Sequence, residues 1–190
     1  MGEIVVTEFV SLDGVMEDPG GAEDFEHGGW TFDFDRGEGD RFKLDEILEA
    51  EAQLLGRVTY EAFARAWPTM EDPVGFADKM NAMPKYVVSS TLEEGSWNNS
   101  TVLRGDVAEE ATKLKREVDG VILVAGSAQL VQALIEHDLV DELRLMVFPV
   151  LLGKGKRLFG ETSGKKRLRL VDSRTVGDGI AILVHRRSEG

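Results

Sequence analysis

VILVAGSAQLVQALIEHDLVDELRLMVFPVL, Val121 to Leu151, carries four structural signals in one unbroken run. Val121–Val124 is a short apolar stretch of strand length, rich in β-branched residues. Ala125-Gly126-Ser127 interrupts it, after which Leu130, Val131, Leu134 and Ile135 recur at helical spacing on one face. Leu143–Leu151 is a second apolar strand, broken by Pro149. Strand, glycine turn, helix and strand make a βαβ unit, for which a right-handed crossover is expected. Gly126 lets backbone come close to a ligand at the first turn of a helix. Free N–H groups and the positive end of the helix dipole suit that place to a phosphate.

The flanking sequence extends this unit into a sheet. Ile4–Ser11 is strand-like and closes at Asp13-Gly14. Residues 17–39 are loop-rich, with Trp30, Phe32 and Phe34 alternating with polar residues. A loop of that length is usually functional or mobile. Its aromatics either cover a flat ligand or seal the edge of the core. Asp40–Glu51 has helical spacing, with Phe42, Leu44, Ile47 and Leu48 on an apolar side and Asp45, Glu46 and Glu49 on a wet one. Gln53-Leu54-Leu55 is a short strand leading through Gly56-Arg57-Val58 to a helix from Thr59 to Trp67. Thr59 is the expected N-cap, and Pro68 ends the helix. Lys85–Val88 is a strand ending in Ser89-Ser90-Thr91. Ser100–Leu103 is another, followed by a helix capped by Asp106. Leu168–Val171 and Ile180–His185 read as an antiparallel pair around Gly177-Asp178-Gly179. The expected fold class is α/β: one domain over residues 1–190, its sheet mostly parallel, with an antiparallel C-terminal hairpin.

Composition narrows the functional classes. A net charge of −13 argues against general nucleic-acid binding. The charge is uneven, because residues 153–187 hold ten Lys/Arg against three Asp/Glu. That basic segment either faces an anionic ligand or an acidic subunit neighbour, or is a solvated hairpin. With no cysteine, disulfides, thiolate metal sites and a cysteine nucleophile are all excluded. The chain opens straight into a strand pattern and has no apolar run of membrane-spanning length, as expected of a cytoplasmic protein. His27, His137 and His185 are scattered, so no metal site is expected.

Three strand ends carry small or polar residues suited to phosphate: Gly56-Arg57-Val58-Thr59, Ser89-Ser90-Thr91 and Gly126-Ser127-Ala128-Gln129. In an open α/β sheet, ligands bind beyond the carboxyl ends of the strands, and parallel strands bring these turns to one edge. Together they favour a phosphorylated cofactor. Arg57 is the most informative member, since its planar fork matches a pair of phosphate oxygens. Gly153-Lys154-Gly155-Lys156 lacks the spacing and hydroxyl of a P-loop, and no strand is followed by GxGxxG.

Ser11-Leu12-Asp13-Gly14, Leu55-Gly56-Arg57-Val58-Thr59-Tyr60-Glu61, Tyr86-Val87-Val88-Ser89-Ser90-Thr91, Ala125-Gly126-Ser127 and Pro149-Val150-Leu151-Leu152-Gly153-Lys154-Gly155 occur in that order. Together they resemble the dihydrofolate-reductase-like superfamily. More narrowly, they resemble the reductase domain of the bifunctional riboflavin-biosynthesis deaminase-reductase and its stand-alone relatives. The resemblance implies a three-layer dihydrofolate-reductase-like fold, NADPH as hydride donor, a small-molecule substrate and a homodimer. The implied activity resembles that of dihydrofolate reductase or of 5-amino-6-(5-phosphoribosylamino)uracil reductase, on a pterin- or pyrimidine-like ring. By motif match, Gly56, Arg57, Val58 and Thr59 hold the pyrophosphate and adenosine phosphate. Ser89, Ser90 and Thr91 lie near a 2′-phosphate, and Gly126, Ser127, Ala128 and Gln129 wrap the pyrophosphate. Asp13 and Gly14 begin the loop bordering nicotinamide and substrate, with Trp30 at its far end. Dihydrofolate reductases use a helix-borne carboxylate to hold the pterin; Asp40 falls at that place, with Asp33 and Asp35 as competitors. These residues show no deaminase or zinc-ligand signature, so the full bifunctional enzyme is not expected. The alternatives are a non-catalytic dimeric nucleotide-binding module on the same fold, and a cofactor-free scaffold whose basic C-terminal segment makes an interface.

Overall fold

The computed structural model describes residues 1–188. Among these residues eight strands form one sheet: β1 (Glu3–Ser11), β2 (Ala50–Gly56), β3 (Lys85–Val88), β4 (Ser100–Leu103), β5 (Val121–Ala125), β6 (Glu142–Phe148), β7 (Leu168–Val176) and β8 (Ile180–Arg187). Their spatial order is β4-β3-β2-β5-β1-β6-β8-β7. The first six strands pair in parallel; β8 runs antiparallel to β6, and β7 to β8. The mostly parallel sheet with an antiparallel C-terminal hairpin is the architecture expected from the sequence. Parallel strands buried on both faces need no polar alternation. Ile4, Val5 and Val6 of β1 and Ile122 and Val124 of β5 accordingly have no exposed surface.

Among the described residues five α-helices cover the sheet: α1 (Gly39–Glu49), α2 (Arg57–Ala66), α3 (Phe76–Ala82), α4 (Val107–Glu117) and α5 (Ala128–Glu136). Ile47 of α1, Tyr60 of α2 and Met80 of α3 pack with Val5, Leu55, Val87 and Leu123 on one face. Ala111 and Leu114 of α4 and Leu130, Val131 and Leu134 of α5 pack with Ile4, Val6, Ile122 and Val124 on the other. A third cluster builds Trp30 and Phe148 onto Val176, Ile180 and Ile182 of the hairpin. Asp106 caps α4 as expected, its Oδ1 accepting from the N–H groups of Ala108 (2.9 Å) and Glu109 (3.1 Å).

Two local expectations are corrected. Thr59 does not cap α2. Gly56 is already extended at the N-cap, so Arg57 and Val58 are helical and Thr59 lies inside the first turn. Glu46 is not on a wet face of α1 but buried at 3% exposure, while Leu48 is half exposed. The buried carboxylate survives because the Thr7 hydroxyl donates to it (2.8 Å to Oε2) and the Lys43 ammonium lies 2.7 Å away.

Candidate functional site

β5 ends at Ala125, level with Thr7 of β1, while β1 continues beside β6 to Ser11. Beyond Ala125 the chain turns into α5, so β1 from Glu8 onward has no neighbour on its β5 side. A cavity of about 1100 Å³ opens there, at the carboxyl ends of the parallel strands. The three sequence-predicted turns all line it: Gly56, Arg57, Val58 and Thr59 after β2; Ser89, Ser90 and Thr91 after β3; Gly126, Ser127, Ala128 and Gln129 after β5.

Two of the turns are tied to each other. The Ser127 N–H donates to Thr59 Oγ1 at 2.9 Å, and the Gly56 N–H donates to Ser127 Oγ at 2.9 Å. Gly126 has φ +60°, and a Cβ there would sit 2.7 Å from Thr59 Oγ1, so only glycine lets the turns approach this closely. The Ser89 hydroxyl is spent within its own turn, accepting from the N–H groups of Thr91 (3.2 Å) and Leu92 (3.0 Å). Arg57 pairs with Glu61 at 2.9 Å and is half exposed. Arg104, beyond β4, lines the same end of the cavity; Lys156 and Arg157 also reach the cavity wall. Arg104 is not among the residues the sequence points to, because a lone arginine after a strand carries no motif; Lys156 and Arg157 fall within the basic 153–187 segment, one reading of which is that it faces an anionic ligand.

The other end of the cavity has different chemistry. Phe63, Trp67 and Phe76 form an aromatic wall, with Trp67 stacked on Phe76 at 5.1 Å between ring centroids. Ile47 and Met80 continue it, while Thr7, Lys43, Glu46 and Gln53 supply polar groups. Lys43 donates to Thr7 Oγ1 at 2.5 Å and lies over the Phe9 ring. Glu8 also lines the cavity, 5% exposed, with Oε2 accepting from the Gly126 N–H at 3.1 Å. Burial pushes its carboxyl well above the ordinary glutamate value, more than the nearby Lys43 charge and the Gly126 N–H pull it down.

The remaining sequence candidates lie elsewhere. Asp40 is not among the cavity-lining residues; its side chain is 64% exposed and paired with Arg36 at 2.9 Å. The helix-borne carboxylate that meets the cavity is Glu46, six residues further along α1. Trp30 is buried edge-on against Phe148, and its Nε1 donates to Glu17 O at 2.9 Å. Phe34 also meets Phe148, so these loop aromatics seal the core edge. Asp13 and Gly14 do not line the cavity, although Met16, Glu17, Pro19, Gly20 and Glu23 of the loop they open do. Asp13 instead clamps that loop to the segment after β6. Ser11 Oγ donates to Oδ1 at 2.5 Å, and the N–H groups of Leu152 (3.1 Å) and Gly153 (2.8 Å) also bind its carboxylate. The Ser11 hydroxyl and these N–H groups hold its pKa at about 2. SLDG and PVLLG are thus two halves of one joint.

The chain belongs to the family of the RibD C-terminal domain, whose model matches residues 3–182. It is 30% identical over 185 residues to the uncharacterized protein YyaP of Bacillus subtilis (strain 168), covering 96% of this chain and 93% of that one. A pyrimidine reductase-like protein from Corynebacterium diphtheriae superposes with a TM-score of 0.66 at 14% identity, over 99% of this chain and 92% of the other. Dihydrofolate reductase from Enterococcus faecalis, complexed with NADP(H) and RAB-propyl, superposes with a TM-score of 0.58 at 14% identity, over 98% and 97%. The fold is therefore dihydrofolate-reductase-like. Among the described residues no helix is long and apolar enough to cross a membrane.

Proposed function

We propose that this protein is an NADPH-dependent reductase of a small heterocyclic compound. The observation that carries this reading is the division of one cavity into two ends. One end gathers three phosphate-suited turns with Arg57 and Arg104; the other is an aromatic chamber holding buried polar groups. Membership of the RibD C-terminal domain family supports an oxidoreductase on the same grounds.

The residues present fit a dinucleotide. Gly126, with no Cβ, and the N-terminus of α5 suit the pyrophosphate. Arg57 and Arg104 with Ser90 and Thr91 suit a 2′-phosphate, which favours NADPH over NADH. When bound, the reduced cofactor supplies a hydride; the protein supplies binding, orientation and exclusion of water. Phe63, Trp67 and Phe76 offer stacking surface to a flat ring, and Lys43, Glu46 and Gln53 offer hydrogen bonds to its edge. A homodimer belongs to the same reading. The outer strand β7 leaves Leu168, Leu170 and Val171 exposed on an edge that a second copy would cover.

The test is a titration of the protein with NADPH and NADH, followed by nicotinamide fluorescence and repeated with Arg57→Ala. Arg57 makes only a half-exposed i,i+4 pair, so its loss costs about 0.5 kcal/mol or less of stability. Expected is NADPH binding stronger than NADH binding, with at least a tenfold loss of NADPH affinity in the variant, the order of one charge-assisted phosphate contact. Absence of binding by either cofactor to folded protein refutes the proposal.

A further inference from the structure

Only two buried side-chain polar atoms among the described residues lack a hydrogen-bond partner, Glu8 Oε1 and Gln53 Oε1, and both residues line the cavity. A buried polar atom left unpaired costs free energy, and where it borders a cavity it marks what a ligand should bring. Glu8 is the more informative of the two. It occupies the first position of β1 beyond the end of β5, directly beside the Gly126 turn on one side. Its neighbour Thr7, whose side chain points to the opposite face of the sheet, joins Lys43 and Glu46 of the aromatic chamber. Glu8 therefore stands between the two ends of the cavity.

The charges around Glu8 do not neutralise it. Lys43 is the nearest cation of α1, and it is engaged with Thr7 Oγ1 and Glu46 Oε2 rather than with Glu8. Glu46 of α1 and Glu23 of the first loop add negative charge, and the β5–α5 turn contributes only a backbone N–H. On the loop side, Glu17 and Lys156 face each other at 4.0 Å. An ionised carboxylate buried without a counter-ion is costly enough to take up a proton instead. Since Oε2 accepts from Gly126, the proton belongs on Oε1, the atom without a partner.

We propose that Glu8 is the proton donor of this site, holding its proton on Oε1 and presenting it to an acceptor atom of the bound ring. This rests on the reductase reading and deepens it. The ligand class is a ring with an imine nitrogen or carbonyl oxygen in a reducible C=N or C=O bond. As hydride from the reduced nicotinamide dinucleotide adds to the carbon, the Glu8 O–H bond breaks and an N–H or O–H bond forms on the heteroatom. Glu8 is left as a carboxylate, and uptake of one proton from the solvent restores the acid.

The state of Glu8 is measurable without the substrate. Infrared difference spectra of wild type against Glu8→Gln at neutral pH should show the C=O stretch of a protonated carboxylic acid in wild type only. NADPH held by the Gly126 turn as proposed would bring negative phosphate charge beside Glu8 and so favour the neutral acid. Wild-type affinity for NADPH should therefore fall with rising pH, at most about tenfold per unit for one coupled proton. The same titration should be flat in Glu8→Gln and keep its slope in Glu23→Gln. If the variant does not fold, loss of the wild-type band on raising the pH makes the same test. No acid band, or a wild-type slope retained by Glu8→Gln, overturns the proposal. An acid band in a protein that binds neither nicotinamide cofactor supports the protonated state of Glu8 and refutes the reductase reading alone.

Discussion

Replacing Thr59 by valine keeps the shape of the side chain and deletes one oxygen. That oxygen accepts the Ser127 N–H at 2.9 Å; Thr59 is only 6% exposed and Ser127 is part-buried. Leaving a buried N–H unpaired costs about 1–3 kcal/mol. For a chain of this size, about 1 kcal/mol corresponds to 2–4 °C in Tm, so a fall of roughly 2–12 °C is expected. Ser127→Ala removes the reciprocal acceptor, leaving the Gly56 N–H without its 2.9 Å partner. The two bonds join the same pair of turns, so once one is broken the turns part and the other is weakened. The double variant should therefore lose less than the sum of the singles, with a coupling of about 0.5–3 kcal/mol. Urea unfolding followed by tryptophan fluorescence, compared at constant m, measures all three. Additivity within about 0.5 kcal/mol would show that the turns are held independently, and would refute the clamp.

Two further predictions concern the frame around the site. Burial alone pushes the Glu142 carboxyl up, but hydrogen bonds from Arg186 (2.7 Å) and Arg144 (2.5 Å) more than offset this and hold it below the ordinary value of 4.5. Its contribution to stability is thus complete above pH 4.5 and lost as the pH falls through the depressed value; Glu142→Gln should cost roughly 1–3 kcal/mol near neutrality, since Arg186 is partly exposed, and flatten that acid limb in chemical unfolding. Gly177 has φ +49°, and a Cβ there would lie 1.9 Å from Asp35 O, so Gly177→Ala should lose roughly 2–5 kcal/mol from the left-handed backbone and the overlap together, read as a lower Tm; an unchanged Tm would mean the hairpin tip does not press on that loop.

What the sequence reveals of the site depends on whether a residue's role is local. Gly56, Gly126 and the serines announce themselves because a strand that ends in small polar residues has little reason to do so other than a turn. Their convergence follows from parallel strands, whose carboxyl ends share one edge. Glu8 and Glu46 are hidden for the opposite reason. Glu8 reads as a lone carboxylate in an apolar strand and Glu46 as one of several acids on the wet side of a helix, and each has a partner distant in sequence: Gly126 for Glu8, Thr7 for Glu46. For Trp30 and Phe34 the sequence leaves two readings open, a cover for a flat ligand or a seal at the core edge, and the structure selects the second. Alternation with polar residues suggests an open aromatic surface, but Phe148, far along the chain, draws both rings inward. Asp40 is reached by counting back from Gly56. A count fixes a place on the helix axis, but the helix rotation set by Ile47 and Glu46 decides which carboxylate meets the cavity.

The early end of β5 has a bearing on how such a chain diversifies. The cavity exists because a strand stops while its neighbour continues, so the opening is made by backbone rather than by missing side chains. Exposed residues on its rim, such as Arg57, Ser90 and Arg104, take little part in the two main apolar clusters. Exchanging them should leave folding almost untouched. Selection is then free to rewrite what the pocket accepts while the sheet, and the clamp between its turns, passes from one lineage to the next.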